Sequence, residues 1–258
     1  MIDFLLDQEW QGFTHILQIM GIGILFFSVL YFVTGLLTIF ITRIVLPQFN
    51  YGNILDPRPI QQEQLRREIS LSLLSILIFG TGLIFPWGLL QLGWAQISSS
   101  FSLIGIFAEI FILVVWNEVH FYINHRLLHT AFLKRFHLPH HRSLTTTPWS
   151  TYSFHPVEAI MLGNVILLPM LVYDFHFYSL MSVPIFSIVF NNIGHSNYDF
   201  LPDFHQDRWW LNGARRHHLH HACYQGNYGF MFPFMDRLLK TALAPNAADV
   251  RIQRNSPH

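Results

Sequence analysis

Charge is scarce in this chain. Asp, Glu, Lys and Arg together make up 12% of 258 residues, about half the share usual in a soluble domain. The two signs balance, fifteen residues each, so nothing recommends a nucleic-acid partner. Cysteine is nearly missing. Cys223 stands alone, which excludes an intrachain disulfide and a thiolate metal cage. The opening residues, MIDFLLDQEWQGFTH, lack the basic n-region and small-residue cleavage site of a signal peptide. The first apolar run is therefore expected to remain as an anchor. No Glu-x-x-His pair occurs, which argues against the soluble carboxylate-bridged di-iron bundle. No haem-binding or flavin motif is present.

What is abundant is apolar. Residues of the AVILMFWYC set reach 52%, with 25 Phe and 7 Trp, a composition suited to lipid contact. A bilayer core needs about 20 mostly apolar residues in a helix. Such runs occur at Ile16–Val45, Ile69 to about Leu90 (with Gly80, Gly82 and Pro86 inside it) and Phe101 to about Tyr122. Two shorter runs, Val157–Tyr173 and Phe177–Ile193, each carry a proline and form either a spanning hairpin or one that dips partway. The expected fold is all-α, a multi-span membrane bundle of about four to five transmembrane helices. Residues 1–100 would be anchor helices, 101–243 the catalytic region, and 244–258 a disordered tail. Lys and Arg cluster after the first, third and fifth runs: Arg58, Arg66 and Arg67; Arg126, Lys134, Arg135 and Arg142; Arg208, Arg215, Arg216, Arg237 and Lys240. Five crossings would put all of these on one side, which the positive-inside rule makes cytoplasmic.

Sixteen histidines are the outlier. Residues three and four apart share a helical face. His125 and His129 have that spacing; so do His137, His140 and His141, and again His217, His220 and His221. A single buried histidine is ordinarily a satisfied core residue. Eight in three matched clusters are not explained that way, nor by a solvated patch or interfacial aromatics. Neutral imidazole suits iron, zinc, copper and nickel. A structural zinc takes four ligands, so eight nitrogens are too many for one ion and right for two. The charge of two cations calls for nearby acceptors that orient the imidazoles, for which Glu118, Glu158, Asp199 and Asp236 are candidates. Glu118, Tyr122, His125 and His129 step along one stripe, so Glu118 either reaches an imidazole or the Tyr122 hydroxyl, or pairs with Arg126 at the helix end. Pro139 disfavours α geometry at Leu138; the second-cluster spacing survives if a helix begins near His137, since proline is tolerated in a first turn.

The pieces HRLLH (His125–His129), HLPHH (His137–His141), FHPVE (Phe154–Glu158), GHSNYD (Gly194–Asp199), HHLHH (His217–His221) and NYGFMFPFMDRLLKT (Asn227–Thr241) occur in that order. Together they resemble the fatty acid hydroxylase/sterol desaturase superfamily of integral-membrane oxygenases, over Asn117 to Thr241. Met235 and Lys240 depart from the family's usual aromatic and Gly at those places. The resemblance implies two iron ions, dioxygen as co-substrate, a lipid substrate and electrons from a separate protein. It also implies a ligand at His195, between the second and third clusters, with Asp199 as its support. The metal ligands expected are thus His125, His129, His137, His140, His141, His195, His217, His220 and His221. Glu118 and Asp199 are expected beside them.

Of the other histidines, His155 precedes a proline and is expected to cap the fourth run. His120 lies off the His125 stripe, and His218 off the face of its neighbours. His15, His176 and His205 are expected to be structural or interfacial, and His258 belongs to the tail. Lys134, Arg135, Arg215 and Arg216 are candidates for docking the electron donor, unless they serve only topology. The activity expected is O2-dependent hydroxylation or desaturation of a lipid C–H bond. A metal transporter would want ionisable residues inside the spans. A membrane zinc hydrolase would leave most of these imidazoles idle.

Overall fold

A computed structural model describes residues 13–200 and 213–244. The expectations for residues 1–12, for His205 and Arg208, and for the tail beyond Ala244 lie outside the described residues. Helices dominate, and the sheet is a single two-stranded ladder.

Helix α1 (Phe13–Phe40) continues through a π-helical turn (Ile41–Val45) to Gln48. It is apolar on nearly every face, with Leu25, Val29, Val33 and Leu36 all more than half exposed. Such a helix needs an apolar solvent. Helices α2 (Gln62–Gly82) and α3 (Ile84–Gln91) follow, nearly continuous, with the break at Leu83. α1 and α2 meet through glycines. A Cβ on Gly80 would lie 2.6 Å from the Ile24 Cα, and one on Gly23 would lie 2.9 Å from the Gly80 Cα. Membrane helices approach each other through such small residues.

Helix α4 (Leu103–Leu128) starts where the Ser102 hydroxyl accepts the Gly105 N–H at 3.2 Å. Helix α5 (Lys134–His141) is short. It begins three residues before His137 and holds Pro139 in its interior, which differs from the expected start. The missing proline N–H costs one bond in a helix of only two turns, and burial of three imidazoles outweighs it. The fourth apolar run is not one helix. It divides into α6 (Pro156–Gly163) and α7 (Leu167–Val172) around Asn164–Ile166. It nevertheless traverses the bundle. His155, at its start, stacks on Phe136 (centroids 4.9 Å apart), and beyond its end the Phe175 carbonyl accepts the Ser98 N–H at 3.1 Å, in the loop between α3 and α4. Helix α8 (Phe177–His195) returns. Four stretches are therefore long and apolar enough to cross a membrane, Phe13–Gln48, Gln62–Gln91, Leu103–Leu128 and Phe177–His195, with Pro156–Val172 as a broken companion.

The connections after α1, α4 and α8 meet at one end of the bundle. β1 (Asn53–Ile54) pairs antiparallel with β2 (Tyr198–Asp199). Asp56 receives the Thr145 hydroxyl at 2.7 Å and the Arg58 guanidinium, and its backbone binds both ends of the Asn197 amide. Gly52, at φ +79°, lets the chain turn against Tyr198, where a Cβ would sit 2.5 Å from the ring. A 3-10 turn (Pro148–Tyr152) is threaded into the core. There Tyr31 of α1 and Ser72 of α2 both donate to the Trp149 carbonyl, and the Thr147 hydroxyl donates to the buried Glu68 carboxylate at 2.5 Å. Helices α9 (Ala214–Cys223) and α10 (Phe234–Leu238) complete that end.

Candidate metal centre

Nine imidazoles converge there, and they are the nine expected from the sequence. His125 lies in the last turn of α4 and His129 caps it; His137, His140 and His141 lie on α5; His195 is the last residue of α8; His217, His220 and His221 lie on α9. They form two groups. His125, His129, His137, His141 and His220 make one, and His140, His195, His217 and His221 the other; within each, one nitrogen per residue lies within 4.8 Å of all the rest. Each three-histidine cluster is divided two to one. On α5 the i, i+4 pair His137 and His141 enters the first group and His140 the second; on α9 the pair His217 and His221 enters the second and His220 the first. At 3.6 residues per turn the i, i+4 pair points together and the residue between diverges from it.

Hydrogen bonding at the far side of the rings fixes which nitrogens face inward. The Nδ1 of His125 lies 2.9 Å from the Tyr228 carbonyl, and that of His220 lies 2.7 Å from the Gly226 carbonyl. A carbonyl only accepts, so each Nδ1 carries the proton and each Nε2 a lone pair. His137 Nδ1 faces the buried Glu158 carboxylate at 2.7 Å. The Ser150 hydroxyl donates to the Thr147 carbonyl at 2.7 Å, so it accepts from His195 Nδ1, also at 2.7 Å. The Nε2 atoms then face one another: His125 and His137 at 3.1 Å, His220 and His141 at 3.1 Å, His195 and His217 at 2.8 Å. At His125 and His137, where both outer nitrogens are matched, two lone pairs stand opposed and repel unless a cation lies between them. Imidazole nitrogens about 2.0–2.1 Å from a common ion stand about 3 Å apart at right angles. The donor set thus fits a pair of metal ions with all-imidazole ligation.

Burial keeps the rings neutral. Desolvation is the main cause in every case, and it draws His129 and His140 down to about 3 and His220 to about 4. His137, His141, His217 and His221 are pushed well below their ordinary value by desolvation and then by neighbouring imidazoles. At neutral pH all seven offer lone pairs to a metal without first losing a proton.

The carboxylates behave differently from expectation. Among the described residues, Glu118 hydrogen-bonds to no imidazole and not to Tyr122, and it forms no ion pair with Arg126. It receives three successive backbone N–H groups, Phe230 at 2.9 Å, Met231 at 2.6 Å and Phe232 at 3.1 Å. Asp236 takes the two before them, Tyr228 and Gly229, both at 2.8 Å. A loop of five consecutive donors is wrapped on two carboxylates, and the Tyr228 carbonyl in that loop holds His125. The stripe placed Glu118 on the right face, but it lies one layer farther from the histidines. Asp199 does not stand behind His195 either. That nitrogen belongs to Ser150, while Asp199 faces Arg215 at 3.5 Å. Glu158 and Asp236 do orient the site, directly and through the loop.

Sequence reasoning missed Ser150 and Tyr224. Ser150 reaches His195 across 45 positions, and no local pattern reports that. Tyr224 adopts a left-handed conformation at the end of α9 and packs its ring 4.7 Å from His129 and 4.6 Å from His141. His155 caps α6 by accepting the Val157 N–H, as expected, and His176 caps α8 likewise. His218 is buried outside both groups; His120 pairs with Asn164 at 2.8 Å; His15 packs on Trp87. Lys134 and Arg135 are exposed in the first turn of α5.

A cavity of about 700 Å³ runs inside the bundle toward this centre. Phe121 and Phe154 line it and also pack on the ligand-bearing rings, Phe121 on His125 (5.1 Å) and Phe154 on His140 (5.2 Å). Among the described residues, no Lys, Arg, Asp or Glu lines it.

Residues 110–241, just over half the chain, match the family model described as Fatty acid hydroxylase. Among curated proteins, the chain is 32% identical over 130 residues to a Delta(7)-sterol 5(6)-desaturase, erg3B, of Aspergillus fumigatus, covering 49% of this chain and 36% of that one. It is 30% identical over 158 residues to the lathosterol oxidase of Homo sapiens, covering 60% and 46%. It is 30% identical over 129 residues to methylsterol monooxygenase 1 of Danio rerio, covering 50% and 44%. The chain thus spans less than half the length of each of these relatives. No solved structure matches it.

Proposed function

The chain belongs to the fatty acid hydroxylase family, and on that premise we propose that it is a membrane oxidoreductase with two irons that uses dioxygen to hydroxylate or desaturate a C–H bond of a lipid. One observation carries the reading: nine imidazoles, seven buried and two half-buried, in groups of five and four, at the end of a mostly apolar cavity. His125, His129, His137, His141 and His220 would hold one iron, and His140, His195, His217 and His221 the other. When bound, the irons supply the activation of dioxygen that removal of an unactivated hydrogen requires.

The chain's own residues supply the rest. The Tyr228 and Gly226 carbonyls, Glu158 and Ser150 hold each ring by its outer nitrogen and fix the inner lone pairs in place. Glu158, sealed beside His137, balances part of the cationic charge. Phe121 and Phe154 form an apolar collar that keeps water from the reacting carbon. The lipid would enter from the bilayer and extend a carbon past that collar. Hydroxylation consumes a pair of electrons and a pair of protons per dioxygen and releases one water; desaturation consumes the same and releases a pair of waters. A separate electron-transfer protein would deliver the electrons, docking near Lys134 and Arg135 on the cytoplasmic face.

Metal analysis of purified full-length protein tests the reading. About two irons per chain, with reductant-dependent oxygen uptake and a lipid product gaining one oxygen or losing a pair of hydrogens, supports it. One zinc per chain points to a hydrolase, and variable occupancy to a transporter; either result removes it.

A further inference from the structure

The cavity wall is mostly apolar, with a few polar side chains: Asn117 and His120 on α4, Tyr152 and Asn164, and Ser187 and Asn191 on α8. Asn117 lies there, 8% exposed, and lines the cavity. Among the described residues, no hydrogen bond reaches its side-chain amide. Three of the other polar side chains there have partners: His120 pairs with Asn164 at 2.8 Å, and the Asn191 amide donates to the Thr151 carbonyl at 2.8 Å. A primary amide withdrawn from water and left open is costly, so its partner has to come from the cavity's contents.

Asn117, Phe121 and His125 step by four along α4, so they share a face. Phe121 lines the cavity and packs on His125. Asn117 is therefore about 12 Å from His125 along the helix axis, at about 1.5 Å per residue. It stands below the apolar collar, on the side away from the histidines.

We infer that Asn117 binds the hydroxyl of a lipid alcohol, holding it deep in the cavity so that the carbon presented to the histidine groups is remote from that hydroxyl. The inference rests on the oxygenase reading above. The chemistry of the amide selects the class. It offers an oxygen that accepts and a nitrogen that donates, and a hydroxyl answers both through one atom. A ketone would answer only the nitrogen. A carboxylate would need a cation, and the described residues lining the cavity include no Lys or Arg.

Binding without turnover tests this. Full-length protein in nanodiscs is equilibrated with 5α-cholestan-3β-ol or with 5α-cholestane, which differ by one hydroxyl, and bound probe is counted. Wild type is expected to prefer the alcohol by about tenfold or more, since a site built for a hydroxyl rejects the analogue lacking it. Asn117→Leu keeps the volume and should bring the two affinities within about twofold, while raising or preserving the melting temperature. Asn117→Ser, which keeps one smaller polar group, gives the same comparison with an intermediate preference if the leucine variant does not fold. Equal binding of both probes by wild type, as when water alone satisfies the amide, overturns the inference; so does a preference that survives both substitutions. Iron content is read on the same samples. Alcohol preference in protein that binds no iron upholds the Asn117 site and removes the oxygenase reading, whereas indifference in iron-loaded protein does the reverse.

Discussion

The carboxylate of Glu118 receives the Met231 N–H at 2.6 Å, across 113 positions of sequence. Its neighbours on both sides bond to the same carboxylate. Replacing it by Gln turns one acceptor into a donor facing N–H groups. Leaving such buried groups unmatched costs about 1–3 kcal/mol. Glu118→Gln should therefore melt earlier and hold less iron, because the loop that positions His125 loosens. Glu118→Ala should be worse. Thermal melts and iron analysis check this; wild-type values for both would show that the loop does not depend on the carboxylate.

The two-to-one division of the clusters predicts separable metal losses. His220→Ala removes a ligand from the five-membered group, and His217→Ala one from the four-membered group. Each should lower iron toward one per chain, the second variant more completely, and both should abolish turnover. His218→Ala should keep full iron. Loss of both irons in His218→Ala would contradict the grouping.

Ser150→Ala takes the acceptor from His195 Nδ1 and leaves the ring free to turn. Changes of this kind typically cost about 10–100-fold in metal affinity or activity. Iron titration of the stripped protein should show one weakened site and one unchanged. Ser150→Thr, which restores a hydroxyl, should recover part of the affinity.

Acid should destabilise the metal-free protein. The ordinary histidine value is 6.5, while His129 and His140 sit near 3 and His220 near 4 when folded. Below 6.5 the unfolded chain binds protons that the folded chain refuses, so stability present above that pH is lost as pH falls toward 4. The loss is on the order of 1 kcal/mol per group per pH unit. Melts of apoprotein between pH 8 and 5 should fall steeply, and melts of iron-loaded protein much less, since bound metal holds the rings unprotonated. A flat apoprotein profile would mean that these rings are not sealed from water.

Topology can be read with single cysteines on a Cys223→Ser background. Gln62 and Ser99 are exposed, but Ser143 is fully buried, so Leu144 is the better third position. Gln62 and Leu144 should label from the cytoplasm and Ser99 from the other side. Labels at Gln62 and Leu144 on opposite sides would break the single catalytic face.

The spans and eight of the nine histidines were legible because each is a local pattern; His195 came only with the family resemblance. A run of twenty apolar residues or an i, i+4 pair declares itself within one helix. The division of the fourth run was not legible, since Pro169 and Asn164 signal a weakness and not its outcome. The partners of Glu118, His195 and Asp199 were not legible either. They lie 112–114, 45 and 16 positions away, and only the packed chain brings Ser150 to His195 before Asp199 can reach it. Asn117 was noticed only as the start of a resemblance, because an open amide is visible only against its surroundings.

Glu68 belongs to α2, well upstream of the stretch that matches the family, yet Thr147 donates to it, and Thr147 exchanges hydrogen bonds with Ser150, which holds His195. Chimeras would feel this. A catalytic half transplanted onto foreign anchor helices, however greasy and well inserted, arrives with Thr147 facing the wrong neighbour. Such a graft should lose the four-histidine metal before the five-histidine one, and adding a glutamate at the Glu68 height of the new helix should be the shortest route to restoring it.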